Sequence, residues 1–128
     1  MKDGQRKKNN KYILPQQVWL QTINLIRDYY RMKEVADDLI ATAPVKDGTG
    51  IRSGVSDPTF AKVVKRERHV KMTDIIDEEK NKIPVEYRHG VWNSIMYRTP
   101  YPLDADRSTY SRWKSRFVYN VAVRANIY

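Results

Sequence analysis

Between Arg107 and Tyr119 the chain sets three guanidinium groups, Arg107, Arg112 and Arg116, among the hydroxyls of Ser108, Thr109, Ser111, Ser115 and Tyr119. Guanidinium forks bond phosphate oxygens or the guanine edge, hydroxyls bond either, and a tyrosine adds both polar and apolar contact. The chemistry available to this set is nucleic-acid recognition. Tyr110, Trp113, Phe117 and Val121 recur at steps of three and four, which predicts a helix over 108–125 with these residues as its buried stripe. Ser111, Arg112, Ser115, Arg116 and Tyr119 then face outward, and Ser108 is the expected N-cap. On an isolated helix such arginines could serve solubility alone. The distribution of charge over the rest of the chain decides between the two uses.

That distribution is blocky. The 128-residue chain carries a net charge of +9. Residues 1–12 hold five cations against one carboxylate, KVVKRERHVK at 62–71 again five against one, and residues 97–128 six against two, leaving the remainder net acidic. Cations gathered in blocks fit a polyanion, because neutralising phosphates releases condensed counterions. A membrane surface would require apolar anchors beside the basic residues, which the basic tail lacks, and no run approaches membrane-spanning length. Double-stranded DNA is the expected partner. Lys62, Lys65, Arg66 and Arg68 are the expected phosphate contacts of the central block.

Catalytic apparatus is not visible. His69 and His89 are the only imidazoles and no cysteine exists, so no ligand spacing for a metal arises. No nucleophile elbow, Walker sequence, zinc-protease motif or complete dinucleotide fingerprint occurs. Asp74, Asp77, Glu78 and Glu79 splay around a helix axis and read as a solvated face. Gly48, Gly50 and Gly54 lack a preceding strand and a Gly-Lys-Ser/Thr ending, so 43–56 reads as a linker loop. The expectation is a protein that is not an enzyme, with no cofactor and no metal, located in the cytoplasm.

The elements that must position the basic helix are themselves helical, and the expected fold is all-α, a small single domain with one long N-terminal helix and a helix-turn-helix-like C-terminal part. Residues 1–12 are too polar to offset ordering entropy and read as a flexible basic arm. After Pro15 no glycine or proline interrupts 16–41, predicting one long helix with two apolar stripes, Trp19, Ile23, Ile26, Tyr30 and Val18, Leu25, Tyr29, Met32, Ala36, Leu39. So wide an apolar arc serves either as a central strut or as a homo-oligomer interface. Asp57-Pro58-Thr59 marks the start of a helix over 58–82, with Phe60, Val63, Val64, Met72, Ile75 and Ile76 apolar. Pro84 opens a third over 84–97, buried through Val91, Trp92, Ile95 and Met96. Trp19, Trp92 and Trp113, one in each of three helices, read as core residues. Lys114 and Arg124 fall near the apolar side and must snorkel or pair with acids.

Three stretches carry a family likeness: Ser56 to Thr59 after the Gly-bearing loop, Ile83 to Asn93 (IPVEYRHGVWN), and Tyr101 to Ala105 followed by Ser108 to Phe117 (STYSRWKSRF). They resemble the RinA/ArpU-type regulators of bacteriophages and prophages, over roughly the C-terminal half and part of the first helix. The resemblance implies a regulator of late phage genes in a bacterial host. The C-terminal part is also similar to the DNA-binding region of alternative sigma factors, which implies contact with promoter DNA and with host RNA polymerase. The connection 97–106 carries two prolines and no helical period, so the short helix that precedes the recognition helix in that unit is expected to be abbreviated or missing. Three other functions use the same features: a small terminase subunit, a phage adaptor or antirepressor acting on host proteins, and an RNA-binding factor.

Overall fold

The computed structural model describes residues 4–41 and 58–128, and among them the chain is all-α. The helices are α1 (Gln16–Arg27), α2 (Tyr29–Ala41), α3 (Pro58–Asn81), α4 (Val85–Tyr97) and α5 (Arg107–Arg124). The linker 43–56 and the cap residue Asp57 lie outside the described residues.

The segment expected as one long helix is two. The Asp28 N–H is shared between the carbonyls of Asn24 and Leu25 (3.2 and 3.1 Å), and the axis breaks there. No glycine or proline causes the break. Its physical reason is that the two stripes answer different partners: α1 packs on α4 and α5, whereas α2 packs on α3. Trp19, Ile23 and Ile26 fill the first contact and Tyr29, Met32 and Ala36 are buried on α2. Tyr30, from the first of those stripes, remains exposed.

α5 is the central helix, in contact with α1, α3 and α4. Tyr110, Phe117, Val118, Val121 and Ala122 form its buried side. It begins one residue before Ser108, and Asp106 occupies the N-cap position without a side-chain cap bond. Ser108 therefore sits in the first turn rather than capping it. Its end is a Schellman closure around left-handed Asn126, with Ile127 N–H donating to Ala122 O (2.9 Å) and Asn126 N–H to Val123 O (3.2 Å).

α4 ends at Arg98, also left-handed, and residues 98–106 run to α5 without a helix. That span exceeds the three- or four-residue turn of a helix-turn-helix, so the expected motif is replaced by an extended, proline-bearing strap. Tyr101 from the strap stacks on Tyr110 (centroids 5.1 Å, 10° between planes), Tyr87 of α4 meets Tyr110 edge-on at 5.4 Å, and the Tyr110 hydroxyl donates to Asp104. Gly90 permits this cluster: a Cβ there would stand 2.6 Å from Tyr110 Cε1 and 2.8 Å from Pro102 Cδ.

α3 joins the bundle through its acidic half, which is not merely a solvated face. Asp77 accepts from the Tyr29 hydroxyl and lies 3.8 Å from Lys33 Nζ. Glu79 is almost fully buried, bonded through one oxygen to Lys82 (2.8 Å) and Arg124 (2.9 Å), and Arg124 also bonds Glu78. Arg124 thus pairs with acids as its position required. Burial pushes the Glu79 carboxyl up, but the Lys82 and Arg124 bonds outweigh it and hold it below its ordinary 4.5. A carboxyl with a lowered folded-state pKa stabilises the fold fully above its unfolded value and loses that contribution as pH falls through the folded one. Stability in urea should therefore decline below about pH 4.5, and Glu79→Gln should flatten that decline. Hydrogen bonds to charged groups contribute about 1.5–3 kcal/mol, and solvent screening of half-exposed Lys82 and Arg124 sets the cost of Glu79→Gln at neutral pH near the lower end. An unchanged acid limb in the variant would show that this cluster contributes nothing to the pH dependence.

The N-terminal half of α3 departs from expectation. Ile75, Ile76 and, in part, Met72 are buried, yet Phe60, Val63 and Val64 are exposed.

Candidate nucleic-acid interface

Residues 4–12, expected as part of a flexible arm, follow an ordered path onto α5. Leu14 is the anchor, buried in the core, and Gln5 brackets its peptide by accepting the Leu14 N–H (2.9 Å) and donating to its carbonyl. Asn10 closes a tight local turn, its Oδ1 accepting the Tyr12 N–H (2.9 Å) and its Nδ2 donating to the Arg6 carbonyl, beside left-handed Asn9. Arg6 donates to the Ser111 hydroxyl (3.1 Å), and the Tyr12 ring meets Tyr119 edge-on at 5.4 Å. The Tyr12-Ile13-Leu14 run was the available signal: apolar residues directly after a polar tract can fasten it.

The outward strip of α5 is rotated from the one its spacing suggested. Arg107, Arg112 and Arg116 are exposed, and Thr109 and Trp113 are half-buried beside them. Ser115, assigned to the open face, is buried, and its Oγ has no partner among the described residues. Ser111 is half-buried and engaged, accepting from Arg6 and donating to the Ser108 carbonyl (3.1 Å). Tyr119 packs between Tyr12 and Tyr128. The cause is that α5 has helices on three sides and the arm on a fourth, so small Ser115 turns inward and Trp113 is displaced to the edge. Lys114 is buried in turn, 3.5 Å from Ser94 Oγ.

The arm and α5 together border a half-open cleft of about 520 Å³. Lys11, Arg112 and Arg116 line it with Tyr12 and Trp113, and no carboxylate does. The Arg116 guanidinium lies 5.5 Å from the Trp113 ring centre. Arg6 and Arg107 border a second depression on the other flank of α5, also without a carboxylate. Among the described residues no acid pairs with Arg107, Arg112 or Arg116, and the helix N-terminus adds partial positive charge.

The second basic group does not join this face. Lys62, Lys65 and Arg68 are exposed on α3 and Arg66 is half-buried, its Nε without a partner among the described residues. Lys65 and Arg68 border a groove with Phe60, Val64 and Met72 that extends to Ala125 and Ile127 at the far end of α5. It shares no lining residue with the arm cleft. His69 lies in that groove, half-buried, its imidazole held below its ordinary value by burial and then by Arg31 and Lys65. His89 is exposed and bonded to Asn93 (2.9 Å).

Among the described residues no group of three or more His, Cys, Asp or Glu side chains is arranged to hold a metal, and no helix is long and apolar enough to cross a membrane. Compared with protein-family models, curated proteins and solved structures, the chain matches none of them.

Proposed function

We propose that the chain is a DNA-binding regulator of transcription that grips duplex DNA with the N-terminal half of α5 and the arm laid beside it. The observation that carries this reading is the set of exposed guanidinium groups at Arg107, Arg112 and Arg116, which no acid pairs among the described residues, continued by Lys7, Lys8 and Lys11 of the arm. Arg112 and Arg116 with Thr109 are the groups placed to meet base edges, while the arm lysines and Arg107 neutralise phosphates. Because the arm is anchored at Leu14, its cations approach a duplex with little ordering left to lose. The phage or prophage setting comes from the RinA/ArpU resemblance and a contact with RNA polymerase from the sigma-factor similarity, and the separate Lys65–Arg68 group with exposed Phe60 and Val64 offers a second surface for such a protein.

Binding of labelled duplex fragments, followed by anisotropy across a salt series, tests the reading. With several of these cations on phosphates, log K should fall linearly with log salt at a slope of about −3 to −5, and fragments should separate by affinity at fixed salt. A flat salt response, or no binding at low salt, would refute it.

A further inference from the structure

We infer that the cleft between the arm and α5 receives a nucleoside phosphate that is not base-paired in a duplex. This extends the DNA-binding reading, on which it rests for a strand as the source of the ligand. A duplex presents groove edges and a phosphate ridge and hides its base faces in the stack, so the Trp113 ring in this half-open cleft adds nothing to reading it, whatever Arg112 and Arg116 contribute there. The cleft has the features an unstacked base with its phosphate requires. Its volume of about 520 Å³ falls in the range of about 300–1,000 Å³ usual for small-ligand sites. Trp113 lines it, half-buried, with the Arg116 guanidinium beside its ring, a pairing on which bases stack. Arg112 and Lys11 supply the charge for a phosphate. The exposed side chain of Asn9 at the rim offers an amide to a base edge. The Asn10 turn and the Tyr12–Tyr119 contact hold the arm wall in place before any ligand arrives.

The test uses the full chain with three probes: a blunt duplex, the same duplex carrying a short single-stranded overhang, and free deoxyadenosine monophosphate measured by calorimetry. The overhang should raise affinity about tenfold over the blunt duplex, as one stacked base does. Trp113→Ala should bring the ratio of overhang to blunt-duplex affinity to about one, whatever it does to the blunt duplex itself, and Trp113→Phe should keep most of the excess. Saturable, Trp113-dependent binding of the free nucleotide without an overhang excess would support the cleft and identify a free nucleotide as its ligand. Equal affinity for overhang and blunt duplexes with no nucleotide binding overturns the inference and leaves the DNA reading standing. Nucleotide binding without any duplex binding would do the reverse, and no binding of any probe overturns both.

Discussion

Replacing Arg112 and Arg116 together by alanine is expected to cut affinity for duplex DNA by about 100-fold while leaving the unfolding midpoint nearly unchanged. A forked guanidinium contact to a base edge contributes about 1–3 kcal/mol. The two positions are one helical turn apart and share the cleft, so their losses will not add fully. Neither side chain is held by an acid among the described residues, and both are exposed, so folding loses little. The one internal contact forfeited is Arg116 over Trp113, about 0.5–1 kcal/mol for an exposed cation and ring. The affinity spread between fragments should shrink with the mean. Lys65→Ala, on the separate α3 surface, should leave that spread intact. A double variant that binds and discriminates like the parent would remove α5 from the interface.

Tyr110→Ala is the corresponding blow to the fold, expected to cost about 3–5 kcal/mol as a buried aromatic deletion, a large share of the 5–15 kcal/mol that holds a domain of this size together. The ring is fully buried and touches the strap through Tyr101, α4 through Tyr87 and the Gly90 backbone, so its loss unseats three segments at once. Tyr110→Phe isolates the hydroxyl and should cost only about 1 kcal/mol, since Asp104 is exposed and water can replace the lost donor. The phenol is pushed up to about 12, by the Asp104 bond first and burial second, so its ionisation leaves the cluster intact through neutral pH. Urea unfolding followed by circular dichroism measures both. Comparable losses in the two variants would show that the ring packing matters less than the single hydrogen bond.

Three of the helices were legible because their starts are written in proline and their periods in large apolar residues: Pro58 for α3, Pro84 before α4, and Tyr110, Phe117 and Val121 for α5. The break at Asp28 was not, because QTINLIRDYYRM contains no glycine or proline and the cause lies in which neighbours the two halves meet. Periodicity likewise identified an amphipathic α5 without setting its phase. With neighbours around most of its circumference, the choice between burying Ser115 and burying Trp113 depends on space between helices, and the sequence contains no measure of that. The cationic core of the candidate site was legible in Arg107, Arg112 and Arg116, whereas its second wall depended on Tyr12 and Leu14 fastening a tract whose composition alone argues for disorder. Glu79 lies three, four and seven residues after Ile76, Ile75 and Met72, so the helical period places it on the buried face of α3 and Glu78 off it. Its partner Arg124 was not legible, because only the fold brings the end of α5 to both carboxylates.

Nucleic acid is proposed to lie across the arm and the N-terminal half of α5. Mapping backbone amide shifts by NMR as a duplex is titrated in tests it residue by residue. The largest changes are expected at Lys7 to Tyr12 and at Arg107, Thr109, Arg112, Trp113 and Arg116, with little at Lys62 to Arg68. Changes confined to α3 between Phe60 and Met72, with the arm and α5 silent, would contradict it.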